Sequence, residues 1–95
     1  MPEMRFRVRW PDQSATLCYS PSQVIKDFFN PGETYELEDF LARSRAALQI
    51  ASERVRQKYG YTCSSAMSQL AEIETIAARF SDAENPKVLV EAFIG

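Results

Sequence analysis

The chain reads as a small α+β protein with helices packed on one face of a sheet. Two features carry that reading. Met4-Arg5-Phe6-Arg7-Val8-Arg9-Trp10 alternates apolar and basic residues without a fault, and an apolar stripe of helical period runs from Leu37 to Tyr59. A strand turns successive side chains to opposite faces. Met4, Phe6, Val8 and Trp10 therefore form a core face, and Arg5, Arg7 and Arg9 form an arginine row on the other.

Each element follows from local chemistry. Pro11-Asp12-Gln13-Ser14 is a turn, since Pro presets φ and Asp and Ser bond their own backbone. Ala15 to Tyr19 is then the return strand of a hairpin. Ser20-Pro21 signals a helix start, with Ser as N-cap and Pro at the first helical position, so a short helix is expected over Pro21 to Phe29. Its core side would be Val24, Ile25, Phe28 and Phe29. Asn30-Pro31-Gly32 breaks it. The long helix runs from Leu37 to Tyr59, and Gly60 ends it. Leu37, Leu41, Ser44, Leu48, Ala51, Val55 and Tyr59 form its stripe, widened by Phe40 and Ala47. Ile50 falls outside, on a flank with Arg43, Ala46, Ala47 and Arg54. A third helix covers about Ser65 to Phe80, with Thr62 or Ser64 as cap. Lys87 to Ile94, rich in β-branched and aromatic residues, is a last strand. The expected order is β-β-α-α-α-β, a sheet of about three strands with the last beside the first. Leu89, Glu91 and Phe93 alternate without being cleanly polar, which predicts partial cover on both sheet faces.

Composition narrows the function. The 95 residues suit a single domain spanning 1–95. Eleven Lys and Arg against thirteen Asp and Glu leave a net charge of −2, which argues against nucleic-acid binding driven by total charge. With two cysteines and no CxxC the chain does not resemble a secreted disulfide scaffold. The N-terminal residues lack a signal-peptide core, and no stretch is long enough to span a bilayer, so the expected location is cytoplasmic. No histidine is present, which removes Cys-His and Ser-His-Asp catalysis and every histidine metal site. No cofactor is expected.

The candidate site residues fall into two groups. Arg5, Arg7 and Arg9, with Arg43, Ile50 and Arg54 of the long-helix flank, are candidate partner-binding residues, because guanidinium groups bind carboxylate and phosphate through paired hydrogen bonds. Glu91 is positioned to pair across the ladder with one of the sheet arginines. Glu74 sits at the margin of the third helix's apolar face, where a carboxylate either pairs with an arginine or shifts its pKa. With Tyr19 and Tyr61 it forms a candidate ligand site. Cys18 and Cys63 are read as small buried thiols. Capping alone explains Ser64 and Ser65, and there is no glycine-rich phosphate loop.

Four segments carry a resemblance to a known family: Met4 to Asp12, Cys18-Tyr19-Ser20-Pro21-Ser22, Asp39 to Leu48, and Ala51 to Ala66. Together they resemble a small bacterial family of nitrogen starvation response proteins, over nearly the whole chain. The resemblance implies a gene cluster with a nitrilase, a radical-SAM protein, an acetyltransferase and a flavoprotein. It brings no catalytic residues with it.

The expectation is a non-enzymatic accessory or regulatory protein of a nitrogen-starvation, nitrilase-linked pathway that acts by protein–protein contact. Its partners would be a second copy, as a homodimer, or proteins of the same gene cluster, with no membrane. The alternative is a small metabolite-binding protein or small enzyme using Glu74 and arginines, for which a concave pocket holding Glu74 is the discriminating observation. A third reading is RNA or single-stranded DNA binding on the sheet face, which the acidic balance disfavours.

Overall fold

The computed structural model describes residues 3–60 and 64–94. The elements are β1 (Met4–Arg9), β2 (Ala15–Ser20), α1 (Ile25–Phe28), β3 (Glu33–Glu36), α2 (Leu37–Tyr59), α3 (Ser64–Ala78) and β4 (Lys87–Ile94). Four strands form one antiparallel sheet in the order β2-β1-β4-β3. The class is α+β, and β4 lies beside β1 as expected.

β3 corrects the expected count of about three strands and the order β-β-α-α-α-β. Glu33-Thr34-Tyr35-Glu36 has weak local strand character, with two glutamates directly behind Pro31-Gly32. Tertiary contacts hold it in place. Tyr35 stands opposite Val88 on β4, is 7% exposed, and packs edge-on to Phe29 at 5.1 Å.

The short helix is also corrected. Ser20 ends β2 opposite Met4 instead of capping a helix, because its backbone belongs to the β1 ladder. Its buried hydroxyl donates to the Ser22 carbonyl at 2.7 Å, and the Ser22 hydroxyl accepts from the Val24 N–H. This polar turn uses up residues 20–24 and leaves four helical residues, although Val24, Ile25 and Phe29 are buried as expected.

α2 spans the expected residues. Gly60 closes it at φ 81°, donating its N–H to the Arg56 carbonyl at 2.8 Å. Only a residue at ease in the left-handed region closes a helix this way without strain.

The hairpin between β1 and β2 turns through Pro11, Asp12 and Gln13. The Gln13 N–H bonds the Trp10 carbonyl, and Gln13 then takes φ 72°. Asp12 accepts from both the hydroxyl and the N–H of Ser14, and those bonds hold its carboxyl below the usual carboxylate range.

One irregularity orders both sheet faces. Arg7 lies opposite Ala92 but Val8 lies opposite Val90, so Glu91 is an extra residue in β4. Such a bulge interrupts the side-chain alternation. Strict alternation puts Leu89, Glu91 and Phe93 on one face. The bulge leaves Leu89, Glu91 and Ala92 with the arginine row and turns Phe93, opposite Phe6, onto the core.

The core joins the inner sheet face to all three helices. A run of aromatic rings crosses it. Phe6 stacks on Phe29 at 6.3 Å, Phe29 meets Phe40 at 5.3 Å, Phe40 meets Trp10 edge-on at 5.5 Å, and Trp10 stacks on Phe80 at 6.2 Å. The Trp10 indole N–H donates to the Thr16 hydroxyl at 3.0 Å. Ser44 on α2 is fully buried, and its Oγ has no hydrogen-bond partner among the described residues.

Two stability changes of opposite sign follow. Phe40→Ala should lose about 3–5 kcal/mol in urea unfolding, because it leaves a cavity between the Trp10 and Phe29 rings. Ser44→Ala should gain about 1 kcal/mol, because it removes an unsatisfied buried hydroxyl and improves helix propensity. A lower melting temperature for Ser44→Ala would contradict this account.

Candidate functional site

The residues not needed for the core gather chiefly on the outer sheet face and in a groove between α2 and α3, with a flank of α2 apart from both. On the outer sheet face the ladder sets side chains in rows: Tyr19, Arg5 and Ile94; Leu17, Arg7 and Ala92; Ala15, Arg9, Leu89 and Thr34. α3 flanks this face at its β2 edge, beside Tyr19 and Arg5. Leu17 is 52% exposed and Ile94 39%.

The three arginines differ. Arg9 grips Glu91 with two nitrogens, at 3.0 and 3.4 Å, and Arg9 Nη1 donates to the Gln13 carbonyl at 2.6 Å. It is a clamp between the bulge and the hairpin turn. Arg5 reaches Glu3 at 3.5 Å and lies 5.8 Å above the Tyr19 ring. Arg7, the middle of the row, is exposed and has no hydrogen bond or ion pair among the described residues.

Arg43, Ile50 and Arg54 lie in the helical layer, away from this row. Arg43 pairs with Asp39 at 3.0 Å, donates to the Phe28 carbonyl at 2.7 Å and lies 5.1 Å from the Tyr35 ring. Arg54 donates to the Ser22 hydroxyl at 3.4 Å. Both tie α2 to the segment around α1. Ile50 is 39% exposed between them. The six candidate partner-binding residues therefore belong to two surfaces.

The second surface is a groove of about 410 Å³ between the first half of α2 and the second half of α3, closed by the loop into β4. Helix geometry builds it. Glu38, Leu41 and Arg45 lie on one side of α2, and Glu74, Ala77, Ala78 and Ser81 continue one side of α3. Arg45 Nε and Glu74 Oε2 meet at 3.0 Å, each about half exposed. At the end of the groove the Leu37 N–H donates to the Pro86 carbonyl at 3.1 Å. Spacings of three, four and seven residues, with alanines between the charges, were the available sequence signal. It was invisible without knowing that these two helix halves face each other.

The structure separates the candidate ligand residues. Glu74 lines the groove with an arginine, but Tyr19 lines a shallow recess with Arg5, Ser65, Gln69 and Glu72 at the start of α3. Gln69 bridges this recess, accepting from the Tyr19 N–H at 2.9 Å and donating to Glu72. Glu72 and Glu74 are two residues apart, so they leave α3 about 200° from each other. Tyr61, Thr62 and Cys63 lie outside the described residues. Among the described residues, no group of three or more Cys, Asp or Glu could hold a metal, and no helix is long and apolar enough to cross a membrane.

Cys18 is fully buried on β2. Burial, with a smaller push from Glu72, raises its thiol pKa to about 12. A nucleophilic thiol needs the opposite shift. In the folded protein at pH 8, Cys18 should therefore resist a maleimide for hours and react at once in urea, as read by peptide mass spectrometry. Rapid labelling of the native protein would show that this strand opens.

No curated protein and no solved structure matches the chain. A family model described as nitrogen starvation-induced protein NitG matches residues 5–93, which take in the sheet, both long helices and the groove between them. With arginine face and groove both inside that match, the chain belongs to the NitG family of nitrogen starvation-induced proteins.

Proposed function

We propose that this nitrogen starvation-induced protein is a non-enzymatic accessory subunit that docks an acidic protein surface on its outer sheet face. The observation that carries this is Arg7: an exposed guanidinium without a partner among the described residues, set between exposed Leu17 and half-buried Ala92. Arginine among apolar residues is a composition suited to protein interfaces. Charge complementarity selects the partner. A second copy docked by the same face would bring two arginine rows together, so a homodimer would have to form elsewhere, with the Ile50 flank as the available helical surface. Tyr19 is the one aromatic ring on the outer face among the described residues, too few for a base-stacking platform.

Four strands about 4.8 Å apart and about 20 Å long give a face of roughly 400 Å² in projection. That size suits a weak or transient complex. In this reading the partner is a protein of the nitrilase-linked cluster, and the protein works in the cytoplasm, where a buried free thiol stays reduced.

A second reading, a small metabolite-binding protein, is favoured by one observation: Glu74 and an arginine do line a concave groove.

Co-expression with the cluster proteins, followed by size exclusion with light scattering, tests the first reading. A salt-sensitive heteromer is expected, with the Arg5→Ser/Arg7→Ser variant folding normally and binding about tenfold more weakly, a loss of about 1.4 kcal/mol. An unchanged complex in that variant would refute docking through the arginine row.

A further inference from the structure

We infer that the groove between α2 and α3 binds a small aliphatic cation, a primary ammonium or an amidinium on a short hydrocarbon body. This deepens the metabolite-binding reading and rests on it. The volume, about 410 Å³, lies in the range of small-molecule sites. The groove has an apolar part and a charged part. Leu37, Leu41, Ala77 and Ala78 offer hydrocarbon to the body of a ligand, and the two alanines leave the room.

The charge around the groove does not cancel. Glu36 is compensated by Lys87 at 3.4 Å, and Glu74 by Arg45 at 3.0 Å. Glu38, one turn before Leu41 on the same side of α2, has no hydrogen bond or ion pair among the described residues. Glu74 meets Arg45 through Oε2 alone, which leaves Oε1 available as a second acceptor. Three carboxylates against one guanidinium and one ammonium leave a single negative charge, which one monovalent cation neutralises. An anionic ligand would have to displace Glu74 from Arg45 and lie among the remaining carboxylates. The α2 and α3 positions that form the groove are helical, which fixes where their side chains leave the backbone.

The test is a titration of the full ¹⁵N-labelled chain, followed by amide shifts, with three probes of one shape: n-butylammonium, n-butyrate and n-butanol. The expected result is saturable shifts at Glu38, Leu41, Ala77 and Ala78 with n-butylammonium only. Glu38→Gln and Glu74→Gln should each weaken that binding at least fivefold, and Glu53→Gln, outside the groove, should leave it unchanged. Saturable binding of butyrate or butanol equal to that of the amine would overturn the cation assignment and keep the groove as a ligand site. No saturable shift with any probe would overturn both. Binding that survives both groove substitutions would show that the amine sits elsewhere.

Discussion

Sheet and helices are joined by a row of rings. Phe6 and Trp10 come from β1, Phe29 from the end of α1, Phe40 from the first turn of α2, and Phe80 from the loop after α3. Each ring touches the next, so the row cannot be assembled unless every one of those elements is in place. Aromatic side chains bury large areas at low entropic cost, and their edge-to-face contacts fix orientation as well as distance. Phe40 is central, since it touches both Trp10 and Phe29, and it sets where α2 crosses the sheet. α3 then follows, packed on α2 and on the β2 edge, where Gln69 takes up the Tyr19 N–H.

Packing the helices on one face of the sheet has a cost and a consequence. The cost is an open outer sheet face. The β4 bulge limits it by moving Phe93 inward and holding Glu91 against Arg9, so that the face keeps one clamped arginine and fewer exposed rings. The consequence is that the middle arginine is left unpaired among the described residues, in a row where one neighbour is clamped and the other reaches its partner only at 3.5 Å. Like charges on the outer face also discourage face-to-face association between copies.

The groove arises from the opposite circumstance. α2 is 23 residues and α3 is 15, and the loop after α3 must return to the sheet between β1 and β3. Alanines at 77 and 78 face the start of α2, where larger residues would have filled the space. The arginine face and the groove lie on different layers of the fold.

How much was legible before folding follows from the range of each signal. The alternation of residues 4–10, the span of α2 with its glycine stop, and the limits of β4 all follow from periodicity and caps, which act within a few residues. The arginine row was visible for the same reason. β3 was not, because Glu33 to Glu36 is a strand only through Val88 and Val90 beside it. The helix expected from Pro21 shrank because Ser20 is held by Met4 across the ladder. Glu74 was recognised as marginal, but its partner Arg45 is 29 residues away and a whole helix face had to be placed to find it. Tyr19 and Glu74 were grouped by chemistry and parted by the 200° between Glu72 and Glu74 on α3. Local pattern settled most of which residues turn inward, but not Tyr59, 49% exposed at the end of the α2 stripe, nor Phe93, which the bulge turns onto the core. Packing settled which outward residues meet, because that depends on how α2 and α3 face each other and on a one-residue bulge that no periodicity announces.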